Sequence, residues 1–251
     1  TYRRIYMGKL DNKIALVTGG TGGIGTAICQ RLADDGAQIV TTSTNPEKAA
    51  KWQAKQNFDS TIIKCDVSNY DDCKSMKEQI EKELGVVDIV VNNAGITRDG
   101  SFRKMDTDKW SQVITTNLNS VFNISHQFVD GMTEKGYGRI VNISSINGQK
   151  GQFGQTNYSA AKAGVHGFTM ALAQEVARKG VTVNTVSPGY IATEMVMAVP
   201  EEIRNKIIAQ IPIGRLGEPE EIGALVAFLC SDEAGLITGA NLAANGGQHM
   251  H

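Results

Sequence analysis

The chain has 251 residues, 41% of them hydrophobic, and a formal net charge of −1. That length suits one α/β domain with a sizeable core better than two small ones. The near-neutral charge excludes a global pull toward nucleic acid or anionic membrane, and no apolar run is long enough to span a bilayer.

Residues Thr1 to Tyr6 carry Arg3 and Arg4 but lead into Met7-Gly8-Lys9-Leu10, not into the apolar stretch of a secretory signal. Met7 is the expected natural start, with 1–6 an upstream or added extension and 7–251 a single domain; a cytoplasmic protein follows by default. Four cysteines, Cys29, Cys65, Cys73 and Cys230, form no C-x-x-C pair; three of them fall in apolar or helical contexts that suit buried free thiols, and the usage fits a reducing compartment.

In chain order, Ile14 to Thr18 is a short apolar run, as expected of a strand buried on both faces of a parallel sheet. A glycine-rich turn follows, then Ile24, Ala27, Ile28, Leu32 and Ala33 repeat at helical spacing until Asp34-Asp35-Gly36. Further strands are predicted over Gln38–Thr42, Thr61–Cys65, Val86–Val91, Ile140–Ile143, Val181–Val186 and Gly239–Ala244. Helical stretches separate them around Asp71–Leu84, Thr107–Met132, Asn157–Lys179 and Pro219–Cys230. This alternation predicts an α/β fold, a doubly wound parallel sheet of Rossmann-like type in one domain. The least regular segment, Tyr190 to Arg215, has a helical part from Glu201 to Gln210 and is the candidate for a mobile lid.

Thr18-Gly19-Gly20-Thr21-Gly22-Gly23-Ile24-Gly25 joins the first strand to its helix. Gly19 permits the tight turn, Gly23 a close approach to a pyrophosphate, and Gly25 tight packing of helix on strand. The helix N-terminus then offers free N–H groups and partial positive charge to phosphates. The spacing is T-G-x-x-x-G-x-G, not G-x-G-x-x-G, so a plain glycine turn is the competing reading. At the end of strand two, Thr41-Thr42-Ser43-Thr44-Asn45 has no acid to hold a ribose 2′-hydroxyl. Hydroxyls there, Thr42 and Thr44 among them, can hydrogen-bond a 2′-phosphate instead, which favours NADPH; a simple polar turn is the alternative.

Tyr158 and Lys162 stand four apart at the start of a predicted helix and so share a face. An ammonium beside a phenol favours the phenolate and is expected to lower the Tyr158 pKa toward neutrality. Alone, such a pair is better explained as a solvated helix face.

The chain as a whole resembles the short-chain dehydrogenase/reductase family. Thr18–Gly25, Asn92-Asn93-Ala94-Gly95, Asn117, Asn142-Ile143-Ser144-Ser145, Tyr158-x-x-x-Lys162 and Pro188-Gly189 occur in its order and spacing, from about Lys9 to Gly247. The resemblance implies Tyr158 as the acid that protonates the substrate oxygen. It implies Lys162 as the group that tunes Tyr158 and holds the nicotinamide ribose, and Ser145, with Ser144 as rival, as the carbonyl's hydrogen-bond donor. Asn117 would organise a water relaying protons to Lys162. Cofactor contacts would come from Gly19, Thr21, Gly22, Gly23, Ile24, Gly25, Asp66, Val67, Asn93, Ala94, Gly95, Tyr158, Lys162, Pro188, Gly189, Ile191 and Thr193. For Asp66 a plain helix N-cap is the alternative.

Within the family, Asn147 to Tyr158 and Ser187 to Thr193 look like the acetoacetyl-CoA reductases of polyhydroxybutyrate synthesis. That implies an acyl-CoA thioester substrate contacted by Asp99, Gln152, Phe153, Gln155 and Tyr190, with Phe153 and Tyr190 as apolar walls, and a homotetramer packed through the long fourth and fifth helices. One departure stands out: Met195 to Pro200 is not basic, where such relatives can carry basic residues, leaving Arg204, Lys206 and Arg215 as phosphate candidates. The alternatives are a 3-oxoacyl-[acyl-carrier-protein] reductase and, from another class, a non-catalytic NADP-binding sensor. His126, His166, His249 and His251 show no metal-ligand spacing, so no metal is expected.

Overall fold

The computed structural model describes residues 8–250. The expected extension at 1–6 and the start at Met7 lie outside the described residues, as does His251.

Strands β1 (Ile14–Val17), β2 (Gln38–Ser43), β3 (Ser60–Lys64), β4 (Ile89–Asn92), β5 (Gly138–Ile143), β6 (Val181–Pro188) and β7 (Asn241–Ala244) form one sheet, in the order β3-β2-β1-β4-β5-β6-β7. Every adjacent pair runs parallel. The chain steps outward from β1 to β3, then crosses back to lay β4 on the other side of β1. The switch point between β1 and β4 opens a crevice at the carboxyl ends of the strands, where such sheets bind ligands. The expected doubly wound sheet is the one observed.

Alternation along the strands divides two cores. Ala15, Val17, Ile89, Val91, Val141 and Ile143 face one side with Ile28 and Leu32 of α1 (Gly23–Asp34). Helix α10 (Pro219–Cys230) covers the same side with Ile222, Val226 and Leu229. Leu16, Val40, Val90, Ile140 and Val183 face the other, against Met76 and Ile80 of α3 (Tyr70–Glu83) and Ile124, Phe128 and Met132 of a later helix. Both faces being buried explains why these strands read as unbroken apolar runs.

The other helices are α2 (Pro46–Gln53), α4 (Thr107–Ile114), α5 (Ser120–Lys135), α6 (Ile146–Lys150), α7 (Thr156–Val176), α8 (Glu194–Met197) and α9 (Glu201–Ile208). The single helix expected over Thr107–Met132 is interrupted: Thr115–Asn119 is a π turn between α4 and α5. Asn117 sits in that turn, and its Nδ2 donates to Val113 O at 3.0 Å, competing for a carbonyl of the preceding turn. β4 begins at Ile89, not Val86, because Val86 is exposed and the buried Asp88 is drawn to Lys135 Nζ at 2.6 Å. The segment expected to form a lid contains α8 and α9, with Met195, Met197 and Ile203 exposed.

Candidate active site

Helices α2, α3 and α4 are each N-capped by a side chain, from Asn45, Asn69 and Asp106. Helix α1 differs from these: its N-cap is Gly22, with no side-chain cap. Its first N–H groups, from Gly23, Ile24 and Gly25, therefore point toward the crevice with the positive end of the helix dipole behind them, which suits an anion.

Close packing shapes this cradle. Gly19 has φ of +63°, and a Cβ there would lie 3.0 Å from Ala94 Cα. A Cβ on Gly25 would fall 2.3 Å from Gly19 O, and one on Gly23 would strike Thr193 Cγ2 at 2.8 Å. Asn93 Nδ2 donates to the carbonyls of Thr18 and Gly19, both at 3.0 Å, while Thr18 Oγ1 accepts from Asn93 N and Ala94 N. The structure thus brings Thr21–Gly25, Asn93-Ala94-Gly95 and Thr193 together along one groove. The donor set and the space left by the glycines fit a dinucleotide pyrophosphate.

At the end of β2 the hydroxyls divide. Thr41 Oγ1 donates to Val17 O and accepts from Gly20 N, and Thr42 Oγ1 accepts from Gly19 N at 3.3 Å, so both help to hold the glycine loop. Thr44 is exposed and remains available. Asp66 is not the N-cap of α3: Asn69 is, while Asp66 Oδ1 accepts from Ser68 N and Oγ in a turn. Val67 is buried, and its carbonyl accepts from Asn123 Nδ2 at 3.0 Å. Ile191 packs into the first core, and Gly189 lies so close to Asn245 that a Cβ would reach its Cα at 2.8 Å.

Tyr158 is the third residue of α7, and Lys162 follows one turn later. The Ser145 side chain acts on Tyr158, opposing the rise in the phenol's pKa that burial causes. Ser145, at the end of β5, also caps α6 by accepting from Asn147 N at 3.1 Å. Ser144 is held elsewhere: its buried Oγ donates to Lys162 O at 2.9 Å and meets His166 Nε2 at 2.8 Å. Only Ser145 faces Tyr158. Asn117 is fully buried, with Nδ2 donating to Ile96 O and Oδ1 accepting from Ile96 N. A Cβ on Gly95 would lie 2.5 Å from Asn117 Oδ1 and 3.6 Å from Lys162 Nζ, so these three groups converge.

The electrostatics differ from the expected pattern. Lys162 Nζ donates to Ile143 O at 2.7 Å and lies 5.7 Å from the Tyr158 ring centroid. Burial pushes the Lys162 pKa down to about 8. The Tyr158 pKa is raised rather than lowered: burial dominates, the Ser145 side chain opposes it, and Asp99 adds to it. The ammonium is turned to a backbone carbonyl and does not offset the desolvation of the phenol.

On the substrate side, Gln155 Nε2 donates to Asp99 Oδ2, and Asn147 Nδ2 donates to Gln155 Oε1, both at 2.9 Å. Asp99 and Gln155 are therefore one polar edge. Gln152 is exposed, and Phe153 is 90% exposed, so in this chain by itself it walls nothing. Tyr190 instead lines a cleft of about 220 Å³ with Ile191, Ile211 and Ile213. Each basic candidate has an internal partner: Arg204 on the Met197 carbonyl, Lys206 on Glu202, and Arg215 bidentate on Glu221.

A family model described as Enoyl-(Acyl carrier protein) reductase matches residues 19–249. The chain belongs to the short-chain dehydrogenase/reductase family. It is 57% identical to the acetoacetyl-CoA reductase of Allochromatium vinosum, over 95% of this chain and 99% of that one. Identity is also 57% to the acetoacetyl-CoA reductase of Cupriavidus necator, over 96% and 100% of the two chains. The 3-oxoacyl-[acyl-carrier-protein] reductase of Vibrio cholerae is 46% identical, over 96% and 99%. The protein is thus an oxidoreductase of this family, whose reactions use a nicotinamide cofactor.

In this short-chain reductase, several residues position the site in ways that the sequence did not assign. Asn157, fully buried, donates through Nδ2 to the carbonyls of Arg98 and Lys109 and accepts from Tyr158 N, fixing the start of α7. Beneath the site, Asn92 Nδ2 donates to Asn142 Oδ1, Asn142 Nδ2 to Thr169 Oγ1, and Thr169 meets Thr185 at 2.7 Å. The signal for this chain was polar residues inside otherwise apolar strands. Cys65 and Cys73, which form no C-x-x-C pair, are both buried in the second core.

Proposed function

We propose that the protein reduces acetoacetyl-CoA to (R)-3-hydroxybutyryl-CoA with NADPH. The observation that carries this reading is the Tyr158–Ser145 hydroxyl pair beside the buried Lys162, in a chain 57% identical to acetoacetyl-CoA reductases. Ser145 Oγ donates to the ketone oxygen and steadies the charge that develops there. Tyr158 Oη gives that oxygen its proton, and its raised pKa keeps the proton in place until the oxygen becomes basic. When bound, the dinucleotide supplies the hydride. Lys162 Nζ holds the nicotinamide ribose and restores the Tyr158 proton through a water anchored at Asn117. The uncapped N-terminus of α1 takes the pyrophosphate, with Gly19, Gly22 and Thr193 around it, and Asp66 and Val67 hold the adenine. Thr42 and Thr44, with no acid beside them, favour the 2′-phosphate. Asp99, Gln155 and Tyr190 contact the acyl thioester, and Gln152 and Phe153 close over it once substrate is bound. The enzyme acts in the cytoplasm as a homotetramer; exposed Trp110, Phe122 and Met170 on α4, α5 and α7 support packing between copies, which light scattering would test.

The carrier-protein thioester is the second reading, favoured by the 46% identical Vibrio cholerae relative. NADPH oxidation measured side by side with acetoacetyl-CoA and acetoacetyl carrier protein decides between them. A clearly higher kcat/KM on the carrier-protein substrate overturns the first reading. NADPH binding with no turnover on either substrate would make the protein a sensor.

A further inference from the structure

We propose that Asn157 is a positioning residue for the reaction: one buried amide ties the turn that carries Asp99 to the first turn of α7, which carries Tyr158. The role rests on the reading of Tyr158 as proton donor and Asp99 as substrate contact. Helix α7 starts without a side-chain bond from its cap residue, because Gln155 directs its amide to Asp99 and Asn147 instead. Gln155 O accepts from Ser159 N at 2.8 Å, but the N–H of Tyr158 has no carbonyl within the helix to reach. Asn157 Oδ1 accepts that N–H, also at 2.8 Å, from inside the first turn.

The same amide reaches outward. Asn157 Nδ2 donates to Arg98 O at 3.1 Å and to Lys109 O of α4 at 3.2 Å. Both amide hydrogens and the amide oxygen are thereby used, in a side chain with no exposed surface. Two partners are carbonyls and one is an N–H, so only this orientation of the amide satisfies all three. Arg98 begins a run of three residues that meet the segment around Tyr158 in reverse order. Arg98 O lies on Asn157, Asp99 Oδ2 on Gln155 Nε2, and Gly100 N on Gly154 O at 2.9 Å. Asp99 is exposed, so water competes for its bond to Gln155, whereas Asn157 is shielded and anchors the run to α4. Removing the Asn157 amide takes a partner from Arg98 O and from Tyr158 N together. Asp99 and Tyr158 then shift relative to each other, while the cradle at the start of α1 makes no bond to this side chain and stays in place.

The test compares Asn157→Ala and Asn157→Ser with a matched control, Asn184→Ala in β6. There another buried asparagine donates to Ile237 O and accepts from Ala240 N. NADPH oxidation gives kcat and KM for acetoacetyl-CoA, fluorescence gives NADPH affinity, and urea unfolding gives the stability of each variant. For Asn157→Ala, kcat is expected to fall about tenfold or more and KM to rise about fivefold, with NADPH affinity within about twofold. Asn157→Ser keeps a hydroxyl that holds one of the bonds and should regain part of both; it carries the comparison alone if the alanine variant does not fold. In the free protein, hydrogen exchange in peptides covering 98–100 and 154–159 should quicken together, by about tenfold, in Asn157→Ala and stay unchanged in Asn184→Ala. Near-normal kcat and KM in a folded Asn157 variant overturn the proposal. So does an equal loss of activity in Asn184→Ala at matched stability, or faster exchange at only one of the two segments. If the wild-type protein turns over neither the CoA nor the carrier-protein thioester, the functional reading fails, while the exchange result still decides whether Asn157 ties the two turns.

Discussion

Replacing Ser145 with alanine removes two things at once: the hydroxyl that opposes the rise in the Tyr158 pKa and the cap on Asn147 N. The cap is worth about 1 kcal/mol of stability. Loss of a donor aimed at a developing oxyanion costs about 10²–10³ in kcat, roughly 2.7–4 kcal/mol of barrier. Tyr158 also loses the one contact that lowers its pKa, leaving burial and Asp99 to raise it further. Ser144→Ala is the matched control. It deletes bonds to Lys162 O and His166, yet Lys162 O keeps its place in the helix and Ser187 Oγ remains 3.3 Å from His166. Its cost is about 1–2 kcal/mol in stability and less than about tenfold in kcat. The assay is kcat for NADPH oxidation at saturating acetoacetyl-CoA, with urea unfolding of each variant. If Ser144→Ala loses as much kcat as Ser145→Ala, the assignment of the two serines is wrong.

Tyr158→Phe should cut kcat by about 10²–10⁴ while NADPH affinity, measured by fluorescence, stays within about twofold; near-normal turnover refutes the proton donor. Lys162 has a folded-state pKa of about 8 against 10.5 unfolded, so between these pH values the unfolded chain binds more protons and stability rises with pH. The rise, at most about 3 kcal/mol, should appear in urea unfolding between pH 8 and 10.5 and vanish in Lys162→Met; equal slopes in the two proteins contradict it. Thr44→Asp adds a carboxylate at an exposed position after β2 and should raise KM for NADPH about tenfold with little change for NADH. Asp88→Ala leaves Ile14 N–H without its acceptor and Lys135 without its ion pair, and should cost about 2–3 kcal/mol in thermal or urea unfolding.

The sheet and its order of elements were legible because strands buried on both faces must be apolar throughout, and the helices between them must show one apolar stripe. The glycine loop was legible for a related reason, since only glycine fits where Gly25 meets Gly19 O. The break at Thr115–Asn119 was not, because the Asn117 amide within it binds Ile96, a partner brought in from outside the helix, as well as Val113 one turn back. Phe153 looked like a pocket wall by residue type, but its neighbours in space leave it exposed.

By itself, then, the amino-acid order determined the doubly wound architecture and the presence of Tyr158 and Lys162 on one helix face, both consequences of local periodicity, while the switch between β1 and β4 came from the sheet order. Tertiary structure decided which serine acts on the tyrosine and where the lysine ammonium goes. It also reversed the expected direction of the Tyr158 pKa. Spacing places two charges near each other, but only burial and hydrogen-bond partners determine whether they interact or are drawn apart.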